Sequence, residues 1–134
     1  MDEQAAVQQA DDQFFAALNA MFVGELEPMM TLWSHADDVV YMGPDGVFQV
    51  GWAAVRQDWE KQAALKLGGE IHVVDRRFTV GEQLAAAYHV AKGSNLDADG
   101  IRREVTIRGT NLFRQEEGTW KLVAHHSDPL PFLK

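Results

Sequence analysis

Two runs in the second half of the chain carry side chains able to do chemistry together. Along a strand, alternation places Arg108, Thr110 and Leu112 on one face of the run Arg102 to Arg114. It places Val123, His125 and Ser127 on one face of the run Thr119 to Ser127. If both faces look into a common pocket, a cation, a hydroxyl and an imidazole converge. Arg108 would then bind a carboxylate or polarise a carbonyl, and His125 would shuttle a proton near its ordinary pKa. Thr110 and Ser127 would orient the ligand. The alternative is structural: Arg108 pairs with an acid across the sheet or at an interface, and His125 is a satisfied core residue. A slip of one residue in register would exchange Arg108 for Asn111.

Aromatic residues offer the walls of such a pocket. Trp33, Tyr41, Met42, Trp52 and Trp59 together would line an apolar site, and Tyr41 and Trp59 are the two expected to touch it. Each is equally compatible with ordinary core packing. Other chemistries are disfavoured. His125 and His126 are strand neighbours that point to opposite faces, so they do not share a metal ion. His35, His72 and His89 have no ligand partner at a useful local spacing and read as surface or sheet-edge residues. With no cysteine there is no thiolate nucleophile and no disulfide. No Gly-x-Ser-x-Gly elbow precedes Ser127, and the glycines of Gly43-Pro44-Asp45-Gly46 and Gly68-Gly69 read as turns rather than as a phosphate cradle. The expectation is a site without metal or cofactor.

The elements that must position these residues follow from periodicity. From Gln4 to Phe22 the apolar residues Val7, Ala10, Phe14, Leu18 and Met21 recur at helical spacing, with Asp2 and Glu3 at the favourable end and Gly24 as the stop. Pro28 suits the first turn of a short second helix carrying Met29, Leu32 and Trp33. Val39 to Met42 and Val47 to Val50 read as a small hairpin about the Gly43–Gly46 turn. Trp52, Val55, Trp59 and Ala63 give a third helix that ends at Gly68-Gly69. Four β-rich runs follow, Glu70 to Val80, Leu84 to Ser94, Arg102 to Arg114 and Thr119 to Ser127, separated by short polar turns. Helices first and a long meander second predict an α+β fold, helices on one face of a mainly antiparallel sheet.

The chain of 134 residues, 46% of them hydrophobic, is long enough for one core and is read as one domain over residues 1–134. Its net charge of -8 is lopsided. Residues 1–69 hold 3 basic and 11 acidic side chains, whereas residues 70–134 hold 9 and 9. That surface lacks the basic stripe that releases counterions from nucleic acid or an anionic membrane, so neither is an expected partner. No run is apolar enough to span a bilayer, and Met1-Asp2-Glu3 does not open a leader peptide, which makes the cytoplasm the expected location.

The order of elements resembles the nuclear-transport-factor-2-like superfamily along essentially the whole chain. The resemblance is strongest over Arg108-Gly109-Thr110-Asn111-Leu112-Phe113-Arg114 and Glu116-Glu117-Gly118-Thr119-Trp120-Lys121-Leu122-Val123-Ala124-His125-His126-Ser127. These runs look like the closing hairpin of the SnoaL-like and ketosteroid-isomerase-like branches. The resemblance implies a cone-shaped fold, three N-terminal helices on a curved sheet made of a short hairpin plus four long strands. It also implies a pocket between helices and sheet, with Thr110, His125 and Ser127 facing inward, and a homodimer joined through the sheets. Alternate residues such as Val105, Ile107 and Phe113 would then cover the dimer face, with Arg77 and Arg103 lining it. The activity does not carry over, because this superfold hosts isomerases, dehydratases, epoxide hydrolases, polyketide cyclases and non-catalytic association domains. Where the isomerases keep a catalytic aspartate after the first strand, this chain has Met42-Gly43-Pro44, and Asp45 falls beyond the turn. Counting back from Gly118 puts Thr110 at the acid of the next-to-last strand, and Phe14 and Phe15 stand where the isomerases keep a tyrosine. A hydroxyl is no base near neutral pH. The functional expectation is a small-molecule pocket protein, a lyase or isomerase acting on a small apolar carbonyl or carboxylate compound, with a non-catalytic ligand-binding or association module as the alternative.

Overall fold

A computed structural model describes residues 2–130. Three helices, α1 (Glu3–Met21), α2 (Glu27–Leu32) and α3 (Trp52–Leu65), pack on one curved six-stranded sheet. The strands are β1 (Val40–Met42), β2 (Gln49–Val50), β3 (Glu70–Val80), β4 (Leu84–Leu96), β5 (Arg102–Glu116) and β6 (Thr119–Ser127). Their order is β2-β1-β6-β5-β4-β3, antiparallel throughout except where β1 runs parallel to β6. This is the expected α+β cone. All four long strands begin at the residues that the sequence pattern marks, and β4 and β5 each run two residues further than expected.

Local chemistry accounts for the ends of these elements. Asp2 caps α1, its Oδ1 accepting the Ala5 N–H at 2.7 Å and so satisfying one of the free amides of the first turn. The β5–β6 hairpin closes through Glu117 and Gly118, both at positive φ (54° and 82°), the turn whose twist matches that of the flanking strands. That turn sets Glu116 opposite Thr119, and the register runs unbroken to Phe113 opposite Leu122. There it slips by one: Leu112 stands opposite Ala124, so Val123 is bulged out of the ladder.

The bulge decides which residues of β5 share a face with His125. An unbroken hairpin would pair His125 with Thr110. The bulged one pairs it with Asn111, and Gly109 with Ser127. The helix-covered face of β5 is therefore Val105, Ile107, Gly109, Asn111 and Phe113, and the opposite face carries Arg108, Thr110, Leu112 and Arg114. Val105, Ile107 and Phe113, expected on the uncovered face, are instead buried in the core against the helices.

One charged residue lies in the apolar stripe of α1. Val7, Ala10, Phe14, Phe15, Ala17 and Met21 face the sheet, and so does Asp11, which is fully buried. Arg76 of β3 donates to its Oδ2 at 3.0 Å, and Asn111 of β5 donates to its Oδ1 at 2.8 Å. Arg76 also reaches Asp12 at 2.8 Å. Removing one member of a buried ion pair leaves its partner's desolvation uncompensated. Asp11→Ala is expected to cost about 3 kcal/mol or more in urea denaturation. Arg108→Ala, which breaks only an exposed pair with Asp128, should leave the midpoint almost unmoved.

Candidate functional site

Two neighbouring rows of residues cross the sheet beneath α1. One runs Tyr41, His125, Asn111, Ala87 over β1, β6, β5 and β4; the other runs Ser127, Gly109, His89, Arg76 over β6, β5, β4 and β3. Between these rows and the helices lies a cavity of about 50 Å³, walled by Phe14, Phe15 and Leu18 of α1, by Phe22 just after it and by Trp59 of α3. It is room for a few water-sized groups. Its lining is mainly apolar, so the few polar atoms that face it carry the chemistry.

His125 is the most constrained of them. Its ring stacks on Phe14, with centroids 4.9 Å apart, and lies near-parallel to Tyr41 at 5.8 Å. Its Nδ1 is 2.6 Å from Asn111 Oδ1. Because the Asn111 amide nitrogen is spent on Asp11, Oδ1 is the acceptor and Nδ1–H the donor, which assigns the tautomer. Nε2 then carries the lone pair, and no described residue bonds to it. A continuous series, Arg76 to Asp11 to Asn111 to His125, thus fixes the imidazole from behind. Burial pushes the His125 pKa down to about 3, with the neighbouring imidazoles of His89 and His126 adding to the effect. The ring is neutral at physiological pH.

Tyr41 stands beside it in the same row. Gln62 of α3 donates to the Tyr41 oxygen at 2.5 Å, so the phenol's own O–H remains free to donate. Burial raises the Tyr41 pKa well above the ordinary phenol value and keeps that proton in place. Gly43 makes this position accessible, because a Cβ there would collide with the Tyr41 hydroxyl. The polar lining also holds Asn95, whose amide donates to the Gly68 carbonyl, and the pair His89 and Ser127. Both are buried, and neither His89 nitrogen nor Ser127 Oγ has a hydrogen-bond partner among the described residues. His89 Nε2 lies 3.9 Å from Asp11 Oδ1, beyond hydrogen-bond reach, and burial lowers its pKa. His89 is therefore an interior residue, not the surface or sheet-edge histidine that its isolation in the sequence suggested. No three His, Asp or Glu side chains among the described residues are arranged to hold a metal ion.

The residues singled out from the sequence divide accordingly. Tyr41, Trp59, His125 and Ser127 line the cavity. Arg108 touches its edge, but the side chain lies outside, 77% exposed, with Nε 2.8 Å from Asp128 Oδ2. Thr110 is on the outer face as well. It borders a shallow groove of about 430 Å³ with Arg77, Tyr88, Arg108 and His126. The bulge at Val123 is the reason for both displacements. Trp33 is buried in the core against Trp52, Tyr41 and Trp59 without lining the cavity. Asp11, Gln62 and His89 were not foreseen as cavity residues, although Asp11 left a trace: an acid inside the apolar stripe of a helix. Asn111 is the residue that a one-residue slip in register was expected to bring in, and the bulge makes that slip.

A helix-covered, curved sheet enclosing a small apolar chamber with a few placed polar atoms defines a pocket protein of the α+β cone class. The model of the SnoaL-like domain matches residues 7–131, and the chain belongs to that family. No curated protein matches it in sequence. Among solved structures, a candidate dehydratase of the NTF2-like family from Streptomyces avermitilis superposes with a TM-score of 0.81 at 20% identity, covering 96% of this chain and 97% of that one. A candidate calcium/calmodulin-dependent protein kinase type II association domain from Thiobacillus denitrificans has a TM-score of 0.72 at 25% identity, with 92% and 94% covered. The association domain of the Caenorhabditis elegans kinase has a TM-score of 0.69 at 17% identity, with 94% and 97% covered. Likeness at these identities speaks for the fold; the chemistry rests on the side chains of this chain.

The depressed pKa of His125 carries a sign for stability. Unfolded, the imidazole protonates near its ordinary value of 6.5; folded, it refuses the proton until about pH 3. Stability is therefore full above about pH 6.5 and is lost as pH falls through that window, each excluded proton costing about 1.4 kcal/mol per pH unit. His89, also depressed, adds in the same direction. The melting temperature should drop between about pH 7.5 and 5.5, above the range where most carboxylates titrate, and drop less in His125→Phe. An identical slope in both proteins would show that the folded ring accepts protons freely.

Proposed function

We propose that this SnoaL-like chain, read as one domain over residues 1–134, is a small-molecule enzyme of the lyase or isomerase kind. In this reading it moves a proton on a compact carbonyl compound. His125 Nε2 is the base, and the Tyr41 O–H is the donor to the carbonyl oxygen. The observation that carries this reading is the bonded series from Arg76 through Asp11 and Asn111 to His125 Nδ1, which leaves the other ring nitrogen as an unclaimed lone pair in an apolar chamber. A general base needs such an orientation before it needs a matched pKa. As a proton leaves the carbon next to the carbonyl, negative charge develops on oxygen beside Tyr41. The new imidazolium keeps its Nδ1–H on Asn111, backed by the Asp11 carboxylate. The ring's low proton affinity in the empty site rises once an anionic oxygen shares the chamber. Arg108, whose guanidinium is held by Asp128, has no part in this scheme, and neither has Thr110.

The test is proton exchange at carbon. Butanone, cyclohexanone and methyl isobutyl ketone would be incubated with the protein in deuterium oxide, and their α-positions followed by proton NMR. Exchange above background is expected, reduced at least a hundredfold in His125→Gln and about tenfold in Tyr41→Phe. Exchange that is equal in the wild type and His125→Gln would sink the assignment.

The second reading is a non-catalytic ligand-binding or association module. It is favoured by the small size of the cavity and by the likeness to kinase association domains. Ligand-dependent stabilisation without exchange would select it.

We also propose that the outer face of the sheet pairs with a second copy of the chain. Leu84 and Tyr88 of β4 are 50% and 43% exposed there, and Arg77 stands opposite Tyr88 on β3. Arg103, expected to line this face, instead pairs with the buried Asn95 at the far end of β4 and lies on the other side with Val105 and Ile107. Sedimentation velocity should give a dimer for the wild type and a monomer for Tyr88→Glu. No helix among the described residues is long and apolar enough to cross a membrane, and the acidic balance argues against a nucleic-acid partner.

A further inference from the structure

Two polar groups that the proton-transfer scheme does not use line the same cavity on either side of β5. His89 and Ser127 belong to the row next to that of Tyr41 and His125, two residues further along β6, a displacement of roughly 6.6 Å at ~3.3 Å per residue. Gly109 stands between them on β5, paired with His89 on one side and Ser127 on the other. The space above Gly109 is filled by the imidazole itself. A Cβ built on Gly109 would lie 2.8 Å from His89 Cε1 and 3.4 Å from Nδ1. The Cε1–Nδ1 edge of the ring therefore lies over Gly109, the residue that pairs with Ser127 on its other side, while Nε2 is the nitrogen turned to Asp11, at 3.9 Å.

That geometry assigns hydrogen-bond roles. Facing a carboxylate, Nε2 is the nitrogen that keeps the proton, which leaves Nδ1 as an acceptor. Ser127 Oγ donates and accepts, and it is buried with no partner. Buried polar groups are nearly always satisfied, so an acceptor and a hydroxyl left open on one cavity wall mark a place for a group that both donates and accepts. An alcohol hydroxyl fits: it donates to His89 Nδ1 and accepts from Ser127.

We propose that His89 and Ser127, bridged by Gly109, form a hydroxyl-binding subsite, so that the ligand is a compact hydroxy-carbonyl compound. Its carbonyl lies at Tyr41 and His125, and its hydroxyl lies one row away. The inference rests on the reading of the cavity as a carbonyl site, and it adds what that reading leaves open, the second functional group of the ligand. Gly109 is then a specificity residue, because any side chain there would displace the His89 ring.

A matched pair of probes separates the two ideas. Diacetone alcohol is methyl isobutyl ketone with one hydrogen replaced by hydroxyl, and the affinity of each would be measured by NMR titration. Diacetone alcohol is expected to bind roughly tenfold more tightly, the worth of about one well-made buried hydrogen-bond pair. In Ser127→Ala and in His89→Phe, the second chosen to keep the packing against Phe15, the two probes should bind alike. Equal affinities in the wild type, or a preference that survives both substitutions, would overturn the subsite while leaving the carbonyl site standing. Binding of neither probe would overturn both.

Discussion

The buried carboxylate of Asp11 is the interaction on which the rest of the site depends. An ionised group taken out of water costs several kcal/mol unless its lone pairs are met, and here Arg76 and Asn111 meet them from two different strands. One side chain on α1 thereby fixes the helix against β3 and β5 together. The consequence reaches one turn further along the helix, where Phe14 is set against the face of His125. An apolar residue at position 11 would pack the same layer, but it would leave Asn111 free to turn its amide and His125 free to choose its tautomer. Specificity of arrangement, rather than added stability, is what this ion pair contributes.

The chamber that results is small and mostly apolar, and each polar atom within it counts for more than it would in water. Tyr41 is held as a donor by Gln62 and by burial; His125 is held neutral by burial and oriented by Asn111. The same low-dielectric surroundings that depress the imidazole pKa also strengthen any charge or dipole that a ligand brings. Membership of the SnoaL-like family accounts for the chamber but not for its contents. The superfold is a container whose chemistry is set by which side chains line it.

The β-bulge at Val123 shows how a single residue redistributes function across a sheet. Without it, the hairpin would bring Thr110 and Arg108 into the cavity with His125. With it, those two face outward and Asn111 and Gly109 face in. A period of two means that a slip of one residue exchanges the faces completely. Arg108 thus becomes a surface residue paired with Asp128, and the place beside the imidazole goes to an amide able to pass on the influence of a carboxylate.

Much of the architecture was legible in the chain. The apolar stripe of α1, the Pro28 start of α2 and the four β-rich runs are local signals, written in spacings of 3.6 and 2 residues, and the structure realises each at nearly the expected bounds. Tyr41 and Trp59 were legible as cavity residues from their aromatic character; alternation put His125 and Ser127 on one face, and the family resemblance said that this face looks inward. What the sequence left open was every relation set by pairing between distant segments. The bulge has no marker at Val123, since the glycine turn that closes the hairpin is compatible with either register. The burial of His89 depends on Gly109 lying opposite it, and the partners of Asp11 come from residues 65 and 100 positions away. Local periodicity determined which elements form and which face of each is apolar. Only the packed sheet decided which polar side chains meet, because hydrogen-bond register is settled by the whole ladder and not by any one strand.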